Sequence, residues 1–268
     1  MVRRAFTLVE LLVVIAIIGL LSSVAVVSLK TAQDKARIAA GQQFGAQLDR
    51  TITDSLTGAW NFDECSGTTF GDSSGKGNSG TFSGSVAFSA NTPLKKGCSL
   101  YFNGSSYAIS SGPDYPNGIT ISLWMNTTDI SAQQALFGQN RNGNFINIWM
   151  PGGGTIRFET ALSSSMYSNK VLAPNTWYHI VMALDAAAGS NNAKIYIDGK
   201  LDKTGTLTYS AASAVAGSLT IGSYSGASYI FTGYIDDVKV FGSPLIASEV
   251  GKMYAEGRSL HQNYLVKK

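Results

Sequence analysis

Two rhythms of hydrophobic and polar positions divide this chain of 268 residues. At the start, apolar side chains follow one another almost without a break. From Leu11 to Leu29 there are 19 residues with no charged side chain. As a helix that run reaches roughly 28 Å, enough to span the hydrocarbon core of a bilayer. Farther on, Ala36, Ala40, Phe44, Leu48, Ile52 and Leu56 recur every fourth position, and Gln33, Asp34, Lys35, Gln42, Gln43 and Arg50 fill other faces. This spacing draws one stripe along a helix. A continuous helix from Phe6 to Leu56 would be about 76 Å long. The stripe is read as the face that packs on a globular head, with Gly41 and Gly45 as weak points. Thr57-Gly58 is expected to end the helix, because glycine commonly follows a helix C-terminus.

The rhythm changes at Ala59. Ile119, Ile121, Leu123 and Met125 alternate with Thr120, Ser122, Trp124 and Asn126, the period of two of a β-strand. Ile195-Tyr196-Ile197 runs into Asp198-Gly199, a strong hairpin signal. Many short apolar runs broken by Gly, Ser and Asn indicate an antiparallel sandwich. Trp60 and Trp177 are expected in its core. Pro244 to Glu256 reads as a short closing helix, and residues 257–268 as a polar, loose tail.

Composition narrows the functional classes. Only 14% of residues are charged and the net charge is +3. Adjacent basic residues occur only as the pairs Arg3-Arg4, Lys95-Lys96 and Lys267-Lys268, so the sequence lacks the basic stripe of a nucleic-acid binder. Low charge with abundant aromatics argues against disorder. Two histidines and two cysteines argue against a His/Cys zinc site.

Three readings fit the N-terminus. One is a secretory signal peptide cut near Ser23-Val24-Ala25. Another is a plain signal anchor, its N-terminus held in the cytoplasm by Arg3 and Arg4. Both leave Glu10 unexplained, since a charge well inside a membrane costs at least about 2.5 kcal/mol unless neutralised. The third supplies the partner. Arg3-Arg4-Ala5-Phe6-Thr7-Leu8-Val9-Glu10-Leu11-Leu12 and the apolar run after it resemble the N-terminus of type IV prepilins and type II secretion pseudopilins. The resemblance implies cleavage by a prepilin peptidase between Ala5 and Phe6 and N-methylation of Phe6. It also implies that Glu10 pairs with the N-terminal amine of a neighbouring subunit during filament growth. Two poorly solvated opposite charges gain from such pairing. Two positions depart from the family pattern: Ala5 stands where glycine is usual, and Val27 where many members carry a kinking proline.

Segments of the head resemble the laminin G-like branch of the concanavalin A-like lectin fold. Trp60-Asn61-Phe62-Asp63-Glu64-Cys65-Ser66-Gly67 looks like its opening strand and turn, and Asp72-Ser73-Ser74-Gly75-Lys76-Gly77-Asn78 like its glycine-rich loop. Ser99 to Gly104, Ile119 to Trp124, Asn175 to Val181, Ile195 to Lys200 and Gly233 to Phe241 follow in the family's order.

The implied fold class is mostly β. A long, membrane-spanning, pilin-like helix precedes an antiparallel concanavalin A-like β-sandwich, or jelly roll. The expected segments are a leader over 1–5, the helix over 6–57, the sandwich over 58–256 and the tail over 257–268.

Tyr234, Asp236, Val238 and Val240 alternate along the last strand, so Asp236 is expected to face the core beside the valines. A buried carboxylate needs a cation or several hydrogen-bond donors. Members of this fold often hold a structural calcium at a matching aspartate. That makes Asp236 the leading calcium candidate, with Asp63, Asp72 and Asn78 behind it. The alternative is that Asp236 caps backbone N–H groups of the glycine-rich loop. Cys65 and Cys98 both lie on the exported side, where disulfides persist. A bridge between them would contribute up to roughly 3.5–4 kcal/mol. The alternative is two buried thiols.

Nothing in the sequence points to an enzyme. Hydrolases of this fold carry an E-x-D-x-E strand, and none of Glu10, Glu64, Glu159, Glu249 and Glu256 begins that pattern. His179 reads as a structural histidine. Trp124, Trp149, Tyr167 and Tyr229 are candidates for a sugar-stacking surface, with the two tryptophans as the ligand residues. The sequence therefore leads to a subunit of a type IV pilus-like extracellular filament with a lectin-like head for adhesion. Its partners would be other pilin subunits, prepilin peptidase, the inner membrane before assembly, and a glycan or surface protein. A secretion pseudopilin and a membrane-anchored carbohydrate-binding module that never polymerises are the alternatives.

Overall fold

A computed structural model describes residues 8–18, 33, 35–37, 39, 40, 43, 50, 52–93, 95–113, 115, 118–141, 144–160, 164–209, 218–224, 226 and 228–265. The chain divides into two units, residues 1–51 and 52–268.

In the first unit, residues 8–18 form a helix whose apolar side chains, from Leu8 to Ile18, are largely exposed. Glu10 lies on this helix and is exposed. No helix among the described residues is long and apolar enough to cross a membrane. The described segment stops at Ile18, inside the apolar run of the sequence. Ala5, Phe6, Phe44 and Leu48 lie outside the described residues.

The second unit is built from antiparallel strands. In chain order these are β1 (Leu56–Trp60), β2 (Thr69–Phe70), β3 (Gly80–Ser83), β4 (Ala87–Ser89), β5 (Ser99–Asn103), β6 (Tyr107–Ser111), β7 (Gly118–Thr127) and β8 (Gln134–Arg141). They continue with β9 (Asn144–Met150), β10 (Arg157–Thr160), β11 (Ser164–Tyr167), β12 (Tyr178–Asp185), β13 (Ala193–Ile197), β14 (Lys200–Gly205), β15 (Ser218–Ile221) and β16 (Thr232–Phe241). One sheet runs β14-β13-β12-β7-β16-β5-β4, with β1 also on β16. The other runs β11-β10-β9-β8-β15-β6-β3-β2. Ile119, Ile121, Leu123, Ile180 and Met182 of the first sheet share a buried core with Ile146, Ile148, Phe158 and Leu219 of the second. The period of two in β7 is therefore real. Its apolar positions fill the sandwich interior, and its polar positions turn to the opposite face.

That opposite face is also covered, which is why all ten residues of β7 are buried. The C-terminal helix, Ala247–Leu265, lies across it. Val181, Ala183, Tyr196 and Phe241 of the sheet cluster with Leu245 and Val250, and Ile52, Leu56 and Met253 pack against them. The Thr120 hydroxyl donates to the Ser243 carbonyl and accepts from the Leu245 N–H, both at 2.8 Å. The Glu249 carboxylate accepts from the Ile246 N–H at 2.8 Å. This is the reciprocal half of a capping box and fixes the helix start. Residues 257–265, expected as a loose tail, continue this helix.

Three further expectations are corrected. The chain is helical over 52–55 and already extended from Leu56, so Gly58 lies inside β1 rather than after a helix. Pairing of Leu56 with Phe241 and of Trp60 with Val238 draws this segment into the sheet. Trp60 is fully buried, its indole N–H donating to the Asn78 carbonyl at 2.7 Å. Trp177 is only half-buried, because it sits outside the core beside Tyr234. Finally, β16 does not keep a strict alternation. A register shift between Asp236 and Lys239, with Asp237 at φ 45°, places an extra residue in the strand. Ile235, Val238 and Val240 face the core, and Tyr234 packs against Tyr101 instead.

Candidate functional site

Two places bring chemistry-bearing side chains together. The first is at the bulge of β16. There the strand changes neighbour, pairing β5 through Ile235 and β1 from Val238 onward. Asp236 is consequently displaced from the core face. It pairs opposite Trp124 and lines a cavity of about 400 Å³ with Asn61, Asp63, Lys96, Asp237 and Lys239. Its residue is 5% exposed. Burial, with the Asp237 and Asp63 charges adding to it, pushes the Asp236 carboxyl up to about 8. Asp237 is drawn off to Lys239 at 2.7 Å, and the Asp237 N–H donates to Asp236 Oδ1 at 2.8 Å.

Among the described residues no group of three or more His, Cys, Asp and Glu side chains is arranged to hold a metal ion. The cavity does bring Asp63 and Asp236 together with the Asn61 amide. This is an oxygen donor set of the kind calcium takes, with Lys96 and Lys239 lining the same cavity. Asp72 and Asn78 are not part of it. Burial pulls Asp72 upward, but hydrogen bonds from Ser74, Asn78 and Ala59 outweigh it and hold its carboxyl below the usual range. Asp72 accepts from the Ala59, Ser74 and Asn78 N–H groups at 2.8–2.9 Å. The backbone capping considered for Asp236 thus belongs to Asp72. The Asn78 side chain donates to the Thr57 carbonyl at 2.9 Å. Cys65 and Cys98 form a disulfide, Cα atoms 5.4 Å apart. It staples the loop that carries Asp63 to the one that carries Lys96.

The second place is the outer face of the second sheet. Arg157 pairs across the strands with Trp149 and Tyr167, and Glu159 with Asn147. Because Phe158 points into the core, Arg157 and Glu159 share the face away from it. The Arg157 guanidinium lies 4.8 Å from the Trp149 ring centroid and 5.5 Å from that of Tyr167, both within cation–π range. One of its nitrogens bonds Glu159 Oε1 at 2.8 Å. The segment after β15 folds over this face. Tyr229 and Tyr224 stand 5.6 and 6.2 Å from Trp149 between ring centroids. The Tyr224 carbonyl rests on Gly138, where a side chain would collide with it. Burial, with the Glu159 charge adding to it, raises the Tyr224 phenol above its ordinary value, so at neutral pH its hydroxyl keeps its proton.

The sequence candidates separate accordingly. Trp124 is not on a ligand face. It is 6% exposed, beneath the C-terminal helix, with Tyr254 stacked at 5.7 Å and His179 at 5.0 Å. His179 is structural: burial pushes it down to about 4, and Nε2 lies 2.8 Å from the Ser122 hydroxyl. Trp149 is 8% exposed, the floor of the cluster rather than its platform, while Tyr167 and Tyr229 are 45% and 46% exposed. Arg157, Glu159, Asn147 and Tyr224 were not singled out from sequence. The alternation around Phe158 was the available signal, hidden by the brevity of β10.

Comparisons with known proteins agree with this layout. The prokaryotic N-terminal methylation motif matches residues 1–26. The model described as the concanavalin A-like lectin/glucanases superfamily matches residues 102–251, more than half of the chain. No curated protein matches the sequence. Among solved structures, domain 4 of AbnA, a GH43 extracellular arabinanase from Geobacillus stearothermophilus in complex with arabinotriose, superposes with a TM-score of 0.61 at 21% identity. That match covers 75% of this chain and 98% of the other. A botulinum neurotoxin type C structure, from work on cell entry dependent upon two ganglioside molecules, gives 0.60 at 15% identity over 77% of this chain. The serotype G binding domain gives 0.55 at 19% identity over 75%. This chain spans about half the length of the neurotoxin chains, 52% and 51%. Behind a pilin-like methylation motif, the chain belongs to the concanavalin A-like lectin/glucanases superfamily.

Proposed function

We propose that this protein is a subunit of a type IV pilus-like filament whose sandwich head binds glycan at the cell surface. The observation that carries the reading is the joining of the methylation motif at residues 1–26 to a lectin-like sandwich in one chain. The precursor sits in the cytoplasmic membrane with its N-terminus inside. Prepilin peptidase removes residues 1–5, and Glu10 then pairs with the Phe6 amine of a neighbouring subunit. Loss of Arg3 and Arg4 takes the net charge from +3 to +1, so the exported subunit is nearly neutral.

The head acts by binding rather than by catalysis. Its ligand face is the outer side of the second sheet, where exposed Tyr167 and Tyr229 flank a polar floor. Structural relatives named for arabinotriose and ganglioside support this reading. In the cavity at the bulge, Asp63 and Asp236 would hold a structural calcium, whose charge would let Asp236 ionise there.

Mass spectrometry of the protein from its native membrane tests the filament reading. An N-terminus at methylated Phe6 is expected, and a chain beginning at Val26 overturns it. Antibody against the head should label filaments or their tips in sheared surface material.

A further inference from the structure

We infer that the outer face of the second sheet takes an uncharged sugar unit with adjacent hydroxyls and discriminates against acidic glycans. This inference rests on the reading of the head as a glycan binder. It is carried by where unpaired polar atoms and paired charges lie.

Buried polar groups in folded proteins are nearly all hydrogen-bonded, so exceptions call for an explanation. Of eight buried side-chain polar atoms without a partner among the described residues, four are here: Asn147 Nδ2 and Oδ1, Trp149 Nε1 and Arg157 Nε. Asn147 is fully buried and within reach of Tyr224, yet neither of its amide atoms makes a well-formed hydrogen bond. One small patch therefore holds three donors and one acceptor without a partner, just beneath its aromatic cover on adjacent strands. Glycan hydroxyls, each both donor and acceptor, can satisfy both senses at once.

The charges restrict which glycan fits. Arg157 is fixed by Glu159 at 2.8 Å, with 19% and 10% of the two side chains exposed. The pair is neutral and largely desolvated. A carboxylate or sulfate would meet the Glu159 charge at close range and would have to draw Arg157 away from its partner. A vicinal diol does neither: one hydroxyl accepts from the guanidinium while its neighbour donates to the carboxylate. Tyr229 and Tyr167 supply aromatic surface for the apolar face of the ring.

The test uses the full-length chain in detergent, titrated calorimetrically with arabinotriose and cellotriose as neutral probes and trigalacturonate as the acidic one. At least one neutral trisaccharide should bind, and trigalacturonate at least tenfold more weakly. Tyr229→Ala should weaken neutral binding at least tenfold with an unchanged melting temperature. Glu159→Gln, which keeps an acceptor oxygen but removes the charge, should narrow the neutral-to-acidic ratio at least threefold. Equal or tighter binding of trigalacturonate, abolished by Tyr229→Ala, overturns the selectivity and leaves the glycan reading standing. Neutral binding untouched by both Tyr229→Ala and Tyr167→Ala overturns the location. Absence of binding across neutral and acidic glycan arrays overturns the glycan reading itself, and this inference with it.

Discussion

His179 Nε2 lies 2.8 Å from the Ser122 hydroxyl, beneath the C-terminal helix, while Nδ1 has no partner. Burial holds this imidazole neutral down to about pH 4, whereas in the unfolded chain it takes a proton near 6.5. The unfolded state thus binds more protons at this site between these values, so His179 by itself lowers stability as pH drops through that window, opposite in sign to Asp236, whose raised carboxyl favours the fold as pH falls. The full loss is on the order of 3 kcal/mol. Urea melts from pH 7 to pH 4 should show His179→Gln gaining stability relative to the wild-type protein by that amount. Equal slopes for the two proteins would contradict the assignment.

The hairpin between β13 and β14 turns through Asp198 at φ 53° and Gly199 at φ 75°, the paired positive angles of a type I′ turn. A Cβ on Gly199 would stand 2.9 Å from Tyr254 of the C-terminal helix. Gly199→Ala therefore combines backbone strain with a displaced helix. A loss of about 1–3 kcal/mol is expected by denaturant melts, from the strained φ and the steric clash together.

The Cys65–Cys98 bridge closes a sequence separation of 33 residues. Replacing both cysteines with serine should lower stability by about 2–4 kcal/mol. The wild-type protein should show a matching loss under reductant, and the double variant none.

The calcium proposed for Asp63 and Asp236 would have a calorimetric signature. Chelation should lower the melting temperature of the wild-type protein, and added calcium should restore it. Asp236→Asn should abolish that response, and because it removes a buried carboxylate it should not itself unfold the protein. An identical midpoint with and without chelator sinks the ion.

Glu10 makes a prediction about assembly rather than folding. Glu10→Ala subunits should be cleaved and methylated normally but be recovered in the membrane, with filament yield reduced at least tenfold. Shearing and immunoblotting separate the two fractions. Normal filament yield would remove the amine–carboxylate pairing from the account.

Much of this protein was legible along the chain. The apolar run around Glu10, the alternation of β7, the hairpin at Asp198-Gly199 and the two cysteines are local or compositional patterns. The physics they report, helical faces, strand faces and turn dihedrals, is itself local. Sequence alone therefore determined an apolar, motif-bearing N-terminus ahead of an antiparallel sandwich, and the structure decided for the disulfide over two buried thiols.

The rest depended on partners distant in sequence. Leu56 became a strand because Phe241 was there to pair with it, against the local glycine signal. The bulge of β16 moved Asp236 from the core face to the cavity with Asp63, something strict alternation could not show. Trp124 and Trp149 look alike in sequence, each a tryptophan in an apolar strand. Only the tertiary structure decided between them, by laying a helix over one and leaving the other under two tyrosines and an arginine. The reason is geometric: a strand fixes which of its faces a residue occupies, but what covers that face is set by the rest of the fold.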